Sequence, residues 1–488
     1  MDRIIILFLP SFFGLPWEDS PGFSIAWSLA GSLFIAWVSH TGWFRESGED
    51  VPVTHRLLRP LSMYQFYFLG LHVMGATFFA LDAAGYNFHG QFAEPKESLL
   101  ALVAQVQRYM LLGHASVIAG MKLVGFRYDR PKYLIPSIPP YSLIVISFVC
   151  LGVASVGATI PGLLNLGYKL GELASAAILV ETWLSVRRGH FTNRALTLGL
   201  LGFNLVTQIL SGWKALVLWT MFTLGALFYP LMPKKAAIGG TAFLLFWMLY
   251  LHPFGQVMRQ LTWTENVDRT LAAEMAWDYS VSLSLEDRLD NTWLMMVTRT
   301  NEIWQFEKYV QYVPDRRPHY GFELVTESMI ALIPRVLWPE KPDLERLVMQ
   351  RVIGAGVIME ESQVSAKTSF YVDGYLSGGW PVILVACLFY GMVGMIVNRV
   401  CERFFGGYDI GTCFIYVALF AFWINIGPSF LFFVGAIWTA FLVMFGFFVA
   451  CRMMGWIVPV PPLKRVPADE VGLSRGQLLP HNTLQRFK

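Results

Sequence analysis

The run ALTLGLLGFNLVTQILSGWKALVLWTMFTLGALFYPL, residues 195–231, holds a single charged side chain, Lys214, in an otherwise apolar stretch. A spanning helix needs about 20 mostly apolar residues, so one helix over this run would be far too long for a bilayer. The chain has to turn back within it, and Ser211-Gly212 is the natural turn. This gives two spanning helices, near 195–211 and 213–231.

The same pattern recurs along the chain. Further apolar runs lie near 3–17, 22–42, 62–84, 98–124, 141–160, 171–187, 236–254, 380–399, 410–426 and 429–452. The expected fold class is therefore all-α: a polytopic membrane protein of about 12 transmembrane helices with one large extracytoplasmic helical loop. Its expected parts are an N-terminal bundle over 1–254, the loop over 255–379, C-terminal transmembrane helices over 380–456 and a cytoplasmic tail over 457–488. Composition agrees. The 488 residues are 55% hydrophobic and 15% charged, with mean hydropathy +0.49, against about 25% charged in an ordinary soluble domain. The 17 Trp and 38 Phe suit aromatic belts at two membrane faces. A net charge of +3 is too small to argue for nucleic acid. Residues 1–17 have one basic residue before their apolar run and no small-x-small cleavage site, so they are read as a helix rather than a signal peptide.

Charge placement orients the helices. Alternate short loops hold Arg45, Arg56 and Arg59; Arg127, Arg130 and Lys132; Arg187, Arg188 and Arg194; Lys234 and Lys235; Arg399 and Arg403; and the tail holds Lys464 and Arg465. The intervening loops are nearly free of basic residues, with only Lys96 and Lys169. By the positive-inside rule the N- and C-termini are cytoplasmic and the segment 255–379 lies outside. That segment has twelve Lys/Arg and eighteen Asp/Glu, a net of −6 by subtraction. It is too long for an idle connector, and Trp263, Trp277, Trp293, Trp304 and Trp338 argue for packed structure. It is expected to be mostly helical and to pack on the outer membrane face. No repeat of 20–50 residues is evident.

Candidate chemistry gathers in this segment. Residues 322–333 have spacing suited to a helix in the interface, which Pro334 breaks; Pro339 and Pro342 stiffen the residues after the break. The turn carries Arg335 and Lys341, a guanidinium and an ammonium suited to a phosphate or pyrophosphate head group. The plainer reading has both snorkelling to lipid head groups. Lys214, after Ser211-Gly212-Trp213, sits at the membrane edge on the same side. Glu360 and Glu361 are adjacent carboxylates, of which one is a candidate general base with a raised pKa; Asp373 and His319 are the others. Each is also explicable as a solvated loop residue. The glycine-rich end at Tyr371–Trp380 is expected to be a loop. Within the spans, Gln105, Arg108, His114, Glu172 and Glu181 are polar, and Arg108 with Glu181 is the pairing expected there. Cys150, Cys387, Cys401, Cys413 and Cys451 form no CxxC pair, and neither a metal site nor a nucleotide-binding motif is present.

Ile333-Pro-Arg-Val-Leu-Trp-Pro-Glu-Lys-Pro342 resembles the Pro-Arg-x-x-Trp-Pro-x-Lys-Pro element of the O-antigen polymerase superfamily, the Wzy-type oligosaccharide repeat-unit polymerases. Ser211-Gly212-Trp213-Lys214, the late external loop and Tyr309–Gly321 resemble the same family, over roughly residues 200–400. The resemblance implies a metal- and nucleotide-independent glycosyltransferase of the bacterial inner membrane that needs no cofactor. It would polymerise undecaprenyl-pyrophosphate-linked oligosaccharides among membrane lipids, with a chain-length regulator as the expected protein partner. Arg335, Lys341 and Lys214 map onto the family's cations. Glu361, Glu360, Asp373 and His319 are the candidates for the base. Trp338, Tyr371 and Tyr375 are the aromatics expected to face the acceptor sugar. An O-antigen ligase, a flippase or transporter, and a secretion-complex scaffold are the rival readings.

Overall fold

The computed structural model describes residues 2–41, 53–90, 94–126, 131–134, 139, 141–160, 163–189, 191–211, 214–298, 303–333, 337–360, 366–405 and 428–460. Helices dominate. In chain order they are α1 (Asp2–Phe13), α2 (Pro21–His40), α3 (Val53–Leu58), α4 (Pro60–Ala83), α5 (Glu97–Val124), α6 (Ser142–Ala158), α7 (Leu164–Arg188), α8 (Phe191–Leu210), α9 (Lys214–Phe228) and α10 (Pro233–Thr264). The remainder are α11 (Arg269–Ser282), α12 (Leu285–Thr298), α13 (Ile303–Tyr312), α14 (Glu323–Ile330), α15 (Leu344–Gly354), α16 (Phe370–Gly378), α17 (Trp380–Phe404) and α18 (Phe430–Met453). Among the described residues the strands are two short ones, β1 (Tyr133–Leu134) and β2 (Val458–Pro459), paired antiparallel.

Local chemistry explains the boundaries. Proline stands in the first turn of α2, α4, α10 and α17, where its missing N–H costs nothing. Asp268, Asp343, Ser369 and Ser429 accept backbone N–H groups at the starts of α11, α15, α16 and α18. The expected break in the run 195–231 falls between α8, which ends at Leu210, and α9, which begins at Lys214.

Five helices, α2, α4, α10, α17 and α18, are long and apolar enough to cross a membrane. α6 and α9 contain shorter apolar stretches, and the expected run at 410–426 lies outside the described residues. The ninth run was expected to end at 254. Instead α10 continues to Thr264, carrying Pro253 inside it. Wider π-type turns at Trp247–Leu251 and Gln260–Thr264 loosen the usual ladder, and the first lies immediately before the residues where Pro253 removes a donor.

The central contact is a crossing of α5 and α17 at nearly backbone distance. A Cβ at Gly120 would lie 2.0 Å from the Leu388 carbonyl oxygen, and one at Gly391 would lie 2.0 Å from that of Val117. Glycine at both positions is what lets the helices approach this closely. At one end of this pair, four chain segments are tied together. Arg59 Nε and Nη2 donate to the two Glu402 carboxylate oxygens at 2.9 and 3.2 Å, Nη1 donates to Phe126 O at 2.6 Å, and Arg399 Nη1 donates to Val124 O at 2.9 Å. The β1–β2 ladder brings the end of α18 to the same place, and Lys132 N donates to Arg403 O at 2.7 Å.

The interior polar groups find partners other than the expected one. Arg108 pairs with Glu18 at 2.9 Å and Ser24 at 3.0 Å, while Glu181 accepts from Asn193 at 2.8 Å, so Arg108 and Glu181 do not form a pair. Each meets a nearer neighbour at its own level of the bundle. Glu172 is taken by Lys169 one turn earlier, Gln105 by Tyr109, and His114 by Gln65 at 2.9 Å.

The stretch Tyr371–Trp380 is not a loop. Ser369 caps α16, and Phe370 through Ser377 are all buried inside the bundle. Only the Gly378-Gly379 step turns the chain, with Gly379 at φ +72°. Gly374 then lets α16 pack on α17, since a Cβ there would lie 3.1 Å from Ile383 Cα. Burial against apolar neighbours outweighs the helix-weakening effect of the glycines.

Candidate functional site

The proline-framed turn hangs from the end of α14, a helix that lies along α18; Ala331 approaches Gly435, whose Cβ would be 3.4 Å away. Lys341 closes the turn from below. Its side chain is buried, and Nζ donates to Ile333 O at 2.8 Å and Ala331 O at 3.4 Å. Its backbone N donates to Trp338 O at 3.0 Å, which leaves the Trp338 ring half-buried at the rim. The ammonium therefore holds the two arms of the turn together by binding carbonyls at the end of a helix, where cations are favoured. Arg335, inside the turn, lies outside the described residues.

Other expected site residues are dispersed. Glu361 lies outside the described residues, and Glu360 is exposed shortly after α15. His319 is exposed, with Nδ1 3.4 Å from Leu376 O and its ring edge-on to Tyr375 at 5.9 Å. Tyr371 and Tyr375 are core residues. The Tyr371 hydroxyl meets that of Tyr64, and the Tyr375 hydroxyl donates to Val313 O at 2.8 Å. Lys214 opens α9, whose Leu218 packs with Trp247 of α10 and Met295 of α12; its side chain lies outside the described residues.

Asp373 is the expected residue that the structure gives new surroundings. It is 0% exposed. One oxygen accepts the Phe430 backbone N–H at 2.8 Å, capping the start of α18. Burial pushes its carboxyl above the usual range, opposed by the nearby Arg351 guanidinium and the Thr368 hydroxyl. Arg351, itself buried, donates through Nη1 to Glu327 of α14 at 2.5 Å. Glu327 and Arg351 thus tie α14 to α15, and Arg351 lies within electrostatic reach of Asp373 in the buried α16. Sequence reading missed Arg351 and Glu327, because their relationship spans helices that share no local motif. The usable signal was Asp373 itself, an acid inside the apolar stretch Phe370–Leu376.

Glu307 on α13 was also missed. It is buried, its Oε2 is without a hydrogen bond, and burial pushes its carboxyl up to about 7, opposed by Lys308. Among the described residues no group of three or more His, Cys, Asp or Glu side chains could hold a metal ion.

Comparison with known proteins returns one family, described as a domain of unknown function, DUF8712, which matches residues 9–459. No curated protein and no solved structure matches the chain.

Proposed function

Because the chain belongs to the DUF8712 family, whose description names no activity, we propose a function from its own residues: a membrane glycosyltransferase that polymerises undecaprenyl-pyrophosphate-linked oligosaccharide units on the outer face of a bacterial inner membrane. In this reading about twelve helices span the membrane, both termini are cytoplasmic and the 255–379 segment is external. The basic loops around Arg59, Lys132, Arg399 and Arg403, gathered at one end of the bundle, support that orientation.

The observation that carries the proposal is the contact of the Lys341 ammonium with the Ile333 and Ala331 carbonyls at the end of α14. In the sequence Arg335 lies between these contact points, framed by Pro334 and Pro339, and in this reading it meets the phosphates. The reaction needs such a device. An acceptor hydroxyl attacks the anomeric carbon of the donor, the bond from that carbon to the pyrophosphate oxygen breaks, and the hydroxyl proton passes to a base. Charge grows on the departing pyrophosphate, and a fixed guanidinium stabilises it most in the transition state. Lys341 then acts on the shape of the turn, with Arg335 as the group that meets the phosphates.

The test is Arg335→Ala in cells and in lipid nanodiscs supplied with the pyrophosphate-linked repeat unit, with protein abundance checked. Loss of the polymer ladder while single repeats still reach the surface is the expected result. Undiminished polymer would overturn it. Polymer retained on its lipid carrier would mark a ligase. A transporter is the second reading, because the break at Gly379 between α16 and α17 makes a discontinuous helix within the bundle, a feature of transporter sites. It predicts that repeats fail to cross the membrane at all.

A further inference from the structure

Around α16, Arg351 Nε, Asp373 Oδ1 and Ser377 Oγ make no close hydrogen bond, and the Thr368 hydroxyl lies against the Asp373 carboxyl. Each belongs to a side chain more than nine-tenths buried. Asp373 and Ser377 are one helical turn apart and share a face. A buried unsatisfied polar group costs about 1–3 kcal/mol, so each of these atoms is open to a partner in a second arrangement.

Charge identifies that arrangement. The groups facing Asp373 are the Arg351 guanidinium from α15, the Thr368 hydroxyl just before α16 and the Phe430 N–H at the start of α18. Glu327 of α14 accepts from Arg351 Nη1, and the Tyr320 phenol lies within electrostatic reach of Arg351. Lys367 is directed away, over the Phe432 ring at 4.0 Å and toward Glu345. One cation thus stands between two carboxyl groups. With both ionised the buried set would carry one uncompensated negative charge, an arrangement that burial strongly disfavours.

We propose that Asp373 is a proton-binding site, and that its proton decides whether Arg351 is held by Glu327 of α14 or drawn to Asp373 of α16. With Asp373 protonated, Arg351 belongs to Glu327 and α14, with its proline turn, is docked. When the proton leaves to water, Asp373 Oδ1 becomes a charged acceptor for Arg351 Nε. Glu327 loses its partner, and α14 loosens from α15. Arg351 Nε, which makes no hydrogen bond in the present arrangement, is the donor that second contact would use. The site couples proton uptake to the docking of the external turn, and it does so whether the turn serves a transferase or a transporter.

The experiment uses the full chain in lipid nanodiscs and two readouts that need no substrate. Infrared titration follows the C=O band of a protonated buried carboxyl, and hydrogen exchange follows the amides of α14. In the native protein the band should vanish on raising the pH while α14 exchange rises about tenfold, as expected for loss of a charge-assisted bond. Asp373→Asn, whose amide oxygen still accepts from Phe430, should abolish the band and make α14 exchange independent of pH. Glu327→Gln should free Arg351 for Asp373 and move the band's disappearance to lower pH. A band unaffected by Asp373→Asn, or the same pH-dependent exchange in that variant, would overturn the proposal. If Asp373→Asn fails to fold, the direction of the Glu327→Gln shift decides: no shift, or a shift to higher pH, overturns it.

Discussion

Arg59 and Glu402, 343 residues apart in the chain, form a two-pronged ion pair at one end of the bundle, with the Glu402 side chain 0% exposed. Asn398 adds a third donor to Glu402 at 2.9 Å. This pair fastens the start of α4 to the end of α17, and the Phe126 carbonyl joins the segment after α5 to the same knot.

Removing one partner should be far worse than removing both. Arg59→Ala leaves a buried carboxylate unpaired and should cost about 3–5 kcal/mol, whereas Arg59→Met with Glu402→Leu should recover most of it. Thermal unfolding in nanodiscs, read by size-exclusion fluorescence, checks this. Equal loss in the single and double variants would mean that packing, not charge, holds this end.

At the α5–α17 crossing, Gly120→Ala and Gly391→Ala each place a Cβ 2.0 Å from a backbone carbonyl that cannot swing aside. Each should cost at least about 1–3 kcal/mol by overpacking. Gly152→Ala on α6 is the control, because nothing lies within 4 Å of its Cβ position. The control should be neutral or slightly stabilising.

Lys341→Met keeps the apolar stem but removes the donors to Ile333 and Ala331. The turn should open, with hydrogen exchange across 331–341 rising about tenfold while the long apolar helices stay protected. In the transferase reading, polymer yield should fall with exchange. Unchanged exchange in 331–341 would show that the prolines alone shape the turn.

Glu307 makes stability depend on pH. Its folded pKa, about 7, is raised above the ordinary 4.5, so the neutral form is the one the fold prefers. Its contribution is fully present below about 4.5 and lost as the pH rises through about 7. Glu307→Gln, neutral throughout, should remove this slope and raise the melting temperature at pH 8 by about 2–4 °C, the shift expected for roughly 1 kcal/mol in a large domain. A slope that survives the substitution would locate it elsewhere.

Much of the helix pattern was legible in the sequence, because in lipid an apolar run must close its own backbone hydrogen bonds. The split within 195–231 and the runs near 22–42, 62–84, 380–399 and 429–452 could be placed that way. Hydropathy misplaced the end of α10, since Pro253 resembles a stop and only the π-type turn before it explains the continuation. It also misread α16, whose glycines suggest a loop when viewed locally. That helix exists because Ile383, Tyr64 and Gly113 leave space and contacts for it.

Sequence alone therefore determined the apolar character of these helices, their rhythm and the proline frame around Arg335, all properties of residues close together in the chain. Tertiary structure decided which charges meet. It engaged Lys341 with its own turn, gave Arg108 to Glu18, and set Arg351 between Glu327 and Asp373. A charge inside a bundle takes whichever partner the packing brings within reach, and packing is set by the shapes of helices distant in the chain.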